Sequence, residues 1–135
     1  MQQTGPAINR RRHERFMLPP MYSRLRVRRL DDPDFRYAGH IYDVSEGGVR
    51  FELDDPIEPG TPVAVEIALP GLGDPDTGDI GPGRSVFAIG NVIWVNEEDL
   101  PGPVRMAVAF TRYARTGDHE RLIGHLGRGH YARAA

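Results

Sequence analysis

Between residues 23 and 111 the chain is a succession of short segments in which apolar and polar residues alternate, each closed off by glycine, proline or aspartate. Residues 63–69 show it most cleanly, with Val63, Val65, Ile67 and Leu69 on one side. A period of two buries one face of a strand and fits no helix. The pattern recurs in 23–30, where Leu25 and Val27 oppose Arg24, Arg26 and Arg28, and in 35–44. It returns in 49–53 (Val49, Phe51, Leu53), in 85–96, and in 104–111 (Met106, Val108, Phe110). Gly90 falls inside the longest segment, where a bend or bulge is expected. Turn clusters separate the segments at 31–34, 56–62 and 97–103, and a Gly/Pro/Asp-rich loop at 70–84 has nothing to build a core with. Helical periodicity appears near the end, with Asp118 as N-cap, an apolar stripe of Leu122, Ile123 and Leu126, and Gly127 and Gly129 as stops. With no strand–helix–strand alternation and no internal repeat, the expected fold is all-β with a C-terminal helix. It should be a small six-stranded antiparallel β-barrel.

A chain of 135 residues suits one domain that closes its core without staples. The absence of cysteine excludes disulfides and thiolate metal sites. No apolar run approaches the roughly 20 residues of a membrane span, so no membrane insertion is expected. The basic N-terminus lacks an apolar signal core, so a cytoplasmic location is expected. Net charge is −2 but unevenly spread. Residues 1–30 hold eight Arg and one acid, 31–103 three Arg and sixteen acids, and 104–135 six Arg and two acids. A basic arm on an acidic body lacks the continuous cationic face that a nucleic-acid partner requires, but it leaves room for a local anion site. All 17 basic residues are Arg, so no single Arg carries weight by itself. Arg24 and Arg28 have the same spacing as Arg11 and Arg15, yet they read as the wet face of a strand.

Two short motifs, about thirty residues apart, carry the chemistry. The first is Arg10-Arg11-Arg12-His13-Glu14-Arg15, preceded by a polar tail at 1–9 expected to be disordered and followed by Met17-Leu18-Pro19-Pro20, which favours an extended crossing into the domain. Guanidinium is planar, permanently charged and forked. It can grip phosphate oxygens, stack on a purine, or reach the O6 and N7 acceptors of guanine. A cluster of like charges repels itself when empty, so anion binding should order it. The second is Asp43-Val44-Ser45-Glu46-Gly47-Gly48. Asp43 offers the acceptor that Arg lacks, suited to a guanine N1–H and exocyclic amine. Ser45 adds a small donor and acceptor, and Gly47 and Gly48 allow positive φ and close backbone approach.

In these residues the chain resembles the PilZ family of cyclic di-GMP receptors. Arg11 to Arg15 matches that family's RxxxR motif, and Asp43 to Gly48 its [D/N]xSxxG motif. The resemblance continues through Gly48-Val49-Arg50-Phe51, the Gly90-Asn91-Val92-Ile93-Trp94-Val95 segment and Val108-Ala109-Phe110, spanning residues 10–127. It implies a six-stranded barrel that binds cyclic di-GMP, often as a stacked dimer of the nucleotide. Arg11 and Arg15 would clamp guanines and phosphates, with Arg10 and Arg12 as additional cations. Asp43 and Ser45 would read a guanine edge, and Gly48 would hold the turn. The departures expected from the family pattern are the 70–84 loop and an output domain that is not expected to be attached.

Trp94, the one tryptophan, is a candidate stacking surface. Residues 74–79 resemble a calcium loop, but the glycine is one place early and Ser85 stands where the bidentate glutamate should be. His119, His125 and His130 lack the spacing for one helical face, so no metal site is expected. Nothing suggests a triad or an acid/base pair, and an enzyme is not expected. The expected protein is a cyclic di-GMP receptor with a tail at 1–9, a domain at 10–127 and a tail at 128–135. It would need no cofactor and would signal to an unidentified downstream protein. The alternative is a PilZ-fold adaptor acting without nucleotide.

Overall fold

The computed structural model describes residues 15–18, 23–68, 85–96 and 103–128. Its strands are β1 (Phe16–Met17), β2 (Arg24–Arg29), β3 (Tyr37–Ser45), β4 (Gly48–Leu53), β5 (Pro62–Ala68), β6 (Val86–Asn96) and β7 (Val104–Tyr113), followed by the helix α1 (Asp118–Arg128). Strands β2 to β7 form the expected six-stranded antiparallel barrel, in the order β3-β2-β5-β6-β7-β4, which closes where β4 pairs again with β3. The additional strand, β1, extends the β3 ladder through Phe16↔Val44 and Met17↔Asp43. Two residues carry no legible alternation. What holds β1 is Phe16 and Leu18, both buried in the hydrophobic core cluster.

The alternation read from sequence is the inside–outside alternation of the barrel. Leu25, Val27, Ile41, Phe51, Val65 and Ile67 are all 1% exposed or less, while Arg24 and Arg26 stand in solvent. Each such side chain contributes roughly 1.5–3 kcal/mol by leaving water. A closed barrel also pairs the edges that an open sheet of this size would present.

Three details differ from expectation. Asp43 and Ser45 are strand residues of β3, and the turn proper is only Glu46 and Gly47. In α1, Leu122 and Leu126 are buried one turn apart, whereas Ile123 is 37% exposed, because it lies about 100° round the helix from Leu122. Gly127 lies inside α1, which continues to Arg128. Asp118 ties the helix to the barrel. Its buried carboxylate accepts the backbone N–H of Phe87 on β6 at 2.9 Å and is flanked by Arg115 and Arg121 at 3.0 and 2.7 Å. The 70–84 loop with its calcium-like stretch, Gly129, His130 and the tail at 1–9 lie outside the described residues.

Two ladders are interrupted by bulges that matter for the surface. Between Ile41 and Asp43 the β3–β4 register skips Tyr42, and between Val92 and Trp94 the β6–β7 register skips Ile93. Each extra residue leaves two consecutive side chains on the outside. A third shift falls at Ile89/Gly90, but its extra residue, Thr111, lies on β7 opposite the glycine.

Candidate functional site

The bulges wall a groove on the outer face of the barrel, across β4 and β7. The ladder runs Asp43↔Arg50↔Ala107↔Trp94 in one row and Ser45↔Gly48↔Ala109 in the next. Gly48, Ala107 and Ala109 are too small to fill the space above the sheet, so they form a floor. Asp43, Ser45 and Arg50 line one side, and Ile93 and Trp94, 60% and 44% exposed, line the other. Arg15, just before β1, also lines the cavity, whose volume is about 620 Å³.

The floor depends on glycine for space rather than for backbone conformation. Neither Gly47 nor Gly48 has a positive φ, contrary to the sequence reading; those described glycines that do are Gly60 and Gly117. A Cβ on Gly48 would lie 2.6 Å from the carbonyl oxygen of Val108 on the neighbouring strand, so any side chain there would push β4 from β7.

The Glu46-Gly47 turn is fastened on several sides. The Gly47 N–H donates to Ser45 Oγ at 3.1 Å, and the Phe110 N–H donates to the Gly47 carbonyl at 2.9 Å. The Tyr113 hydroxyl donates to the Glu46 carbonyl at 2.7 Å. The Glu46 carboxylate meets His119 Nε2 of α1 at 2.6 Å, and the rings of Tyr113 and His119 are 5.0 Å apart. Burial first, and the Glu46 charge second, push the Tyr113 hydroxyl well above its ordinary range, so it stays a neutral donor. The turn is thereby joined to β7 and to the first turn of the helix.

Asp43 is set differently. Its side chain is 8% exposed, and Arg50 Nε and a terminal guanidinium nitrogen both reach the same oxygen, Oδ2, at 2.9 and 2.7 Å. Its other oxygen, Oδ1, has no hydrogen-bond partner among the described residues. The groove therefore combines cations, a fixed carboxylate acceptor, a hydroxyl and an apolar wall with an indole face.

Of the residues singled out from sequence, Arg15, Asp43, Ser45, Gly47, Gly48 and Trp94 line this one groove. Arg10, Arg11 and Arg12 lie outside the described residues. Arg24 lines a separate depression of about 400 Å³ with Arg26, His40 and Glu66, where Arg26 is paired with Glu66. Sequence reasoning missed Arg50, Ile93, Ala107 and Ala109. A signal existed for Arg50: a two-residue turn at Glu46-Gly47 makes partners of residues equidistant from it, which pairs Asp43 with Arg50. For Ile93 there was none, since a bulge leaves no mark in the alternation until the partner strand is known.

The family model of the PilZ domain matches residues 9–128. The chain belongs to the PilZ domain family. This PilZ domain is similar in structure to the Bacillus subtilis inhibitor of motility MotI/DgrA, with a TM-score of 0.60 and 16% identity over 95% of this chain and 51% of that one. It therefore spans about half the length of MotI/DgrA. It is also similar to the PilZ domain of YcgR from Escherichia coli, solved with c-di-GMP, with a TM-score of 0.59 and 20% identity over 88% of this chain and 92% of that one. At these identities the likeness is one of fold. No curated protein matches the sequence. Among the described residues, no helix of this PilZ domain is long and apolar enough to cross a membrane.

Proposed function

We propose that this PilZ domain is a receptor for cyclic di-GMP that acts by binding rather than catalysis. The observation that carries the reading is the convergence of Arg15, Asp43, Ser45, Gly48 and Trp94, distant in sequence, on one groove of about 620 Å³. Arg15, with Arg10, Arg11 and Arg12 of the same motif, would supply cations to the phosphates and planar faces to the guanines. Asp43 would accept from a guanine's N1–H and amine, with Ser45 beside it. The bare backbone at Gly47 and Gly48 would let a ring approach, and Trp94 would stack. Nucleotide would order the arginine arm against the barrel and change the surface offered to a downstream protein. YcgR's PilZ domain, of the same fold, was solved with c-di-GMP, which supports the choice of ligand.

Isothermal titration with cyclic di-GMP tests the reading. Saturable binding is expected, and Arg15→Ala and Asp43→Ala should each weaken it by about 10- to 100-fold, the range for lost hydrogen bonds to charged groups. Folded protein that gives no heat at tens of micromolar nucleotide would remove the proposal in favour of an adaptor working without nucleotide.

A further inference from the structure

Asp43 is oriented by a residue outside both sequence motifs. Arg50 sits directly across the β3–β4 ladder and places two guanidinium nitrogens on a single carboxylate oxygen, Oδ2. An arginine facing a carboxylate commonly bonds both oxygens side by side. Here the fork closes on one, and Oδ1 is left without a partner among the described residues. Both residues line the groove, and Asp43 is the more enclosed of the two, at 8% against 43% exposure.

An isolated surface ion pair between strands would contribute little. This one stands at the bulge that turns both Tyr42 and Asp43 to the outer face. Tyr42 is fixed by its hydroxyl donating to Glu52 at 2.7 Å, so the neighbouring side chain has its own anchor and leaves Arg50 to Asp43. A carboxylate with one oxygen anchored has a defined plane. Its second oxygen becomes an acceptor of fixed direction, which suits a ligand edge with adjacent N–H donors.

We propose that Arg50 is a positioning residue: it anchors Asp43 Oδ2 so that Asp43 selects a purine edge carrying both a ring N–H and an exocyclic amine. The inference rests on the cyclic di-GMP reading and extends it from affinity to discrimination. Cyclic di-IMP, which lacks the amine, is the informative competitor. Arg50 matters through Asp43, so its removal should cost little once Asp43 can no longer act.

The test is a titration of wild type, Arg50→Ala, Arg50→Gln, Asp43→Ala and the double variant Arg50→Gln/Asp43→Ala against cyclic di-GMP and cyclic di-IMP, with circular dichroism as a check of folding. The Arg50 variants are expected to bind cyclic di-GMP about 10- to 100-fold more weakly and to lose most of the preference for it over cyclic di-IMP. In the Asp43→Ala background the Arg50 change should add little, the non-additivity of residues acting as a unit. Wild type that fails to bind would remove the receptor reading and this inference together. Wild-type binding with folded Arg50 variants that keep both affinity and preference would overturn the inference alone. An Arg50 effect that is undiminished in the Asp43→Ala background would also overturn it, by showing that Arg50 contacts the nucleotide directly.

Discussion

Tyr113 shows how one side chain serves both the fold and the groove. Its ring packs against Phe110 and His119, and its hydroxyl holds the Glu46 carbonyl, so the turn cannot move without disturbing β7. Because burial and the Glu46 charge raise its pKa in the folded state, the folded protein retains a proton that the unfolded chain releases. The stabilisation is complete below the unfolded value of about 10 and is lost as pH rises beyond it. Denaturant melts between about pH 8 and about pH 11 should therefore show an alkaline loss of stability. Tyr113→Phe should flatten that limb and lower stability at neutral pH by about 1–3 kcal/mol, the cost of an unsatisfied carbonyl. Part of the limb should persist, because burial and Glu52 also raise Tyr42. Little of this was legible in sequence. Asp43 and Ser45 stand out only through the motif they form with Gly47 and Gly48. Tyr113 and His119 look like ordinary surface residues until the helix is docked.

At the scale of elements, α1 depends on Asp118. Its side chain is 2% exposed and joins the Phe87 N–H of β6 to Arg115 and Arg121, while Leu122 and Leu126 bury the helix face behind it. Asp118→Asn keeps the shape but removes the charge that both arginines face. A loss of about 3 kcal/mol is expected, at the low end for a broken buried pair because the arginines keep some water contact. It should appear as a lower urea midpoint with an unchanged m-value. The position of each long strand was readable from its alternation, and Asp118 from its place before an apolar stripe. The role of Asp118 was not readable, since an N-cap and an anchor to another strand look identical in one dimension. Ile123 was misplaced for a related reason: three apolar residues within five define a stripe only once the direction of the core is known.

For the whole molecule, the core and the groove are separate. The interior is an apolar barrel, and the groove lies on its outside with a floor of glycine and alanine. Altering groove residues such as Arg15 should change binding more than stability. Conversely, a ligand that binds only the folded form adds its free energy to the whole barrel. At a hundredfold excess over the dissociation constant, cyclic di-GMP should stabilise the protein by about 2.7 kcal/mol, raising the melting temperature by roughly 10 °C. Arg15→Ala should melt close to wild type without nucleotide and show little of this shift. A melting curve indifferent to nucleotide would count against binding. The barrel itself was legible because period-two alternation repeated between turn signals leaves few alternatives. Its strand order was not, because the β2–β5 and β4–β7 pairings join strands far apart in sequence, which no local turn signal specifies.

The two bulges have a consequence for how such a surface can change. Either side of Tyr42, Ile41 and Val44 face inward with Asp43 outward between them; either side of Ile93, Val92 faces inward and Trp94 outward. Tyr42 and Ile93 are therefore surplus to the alternation. Removing one codon at either place would leave every core residue in phase, whereas the same deletion elsewhere in these strands would turn the interior out. At Ile93 a single-residue deletion would thus trim the groove's wall to Trp94 while the interior stays as it is.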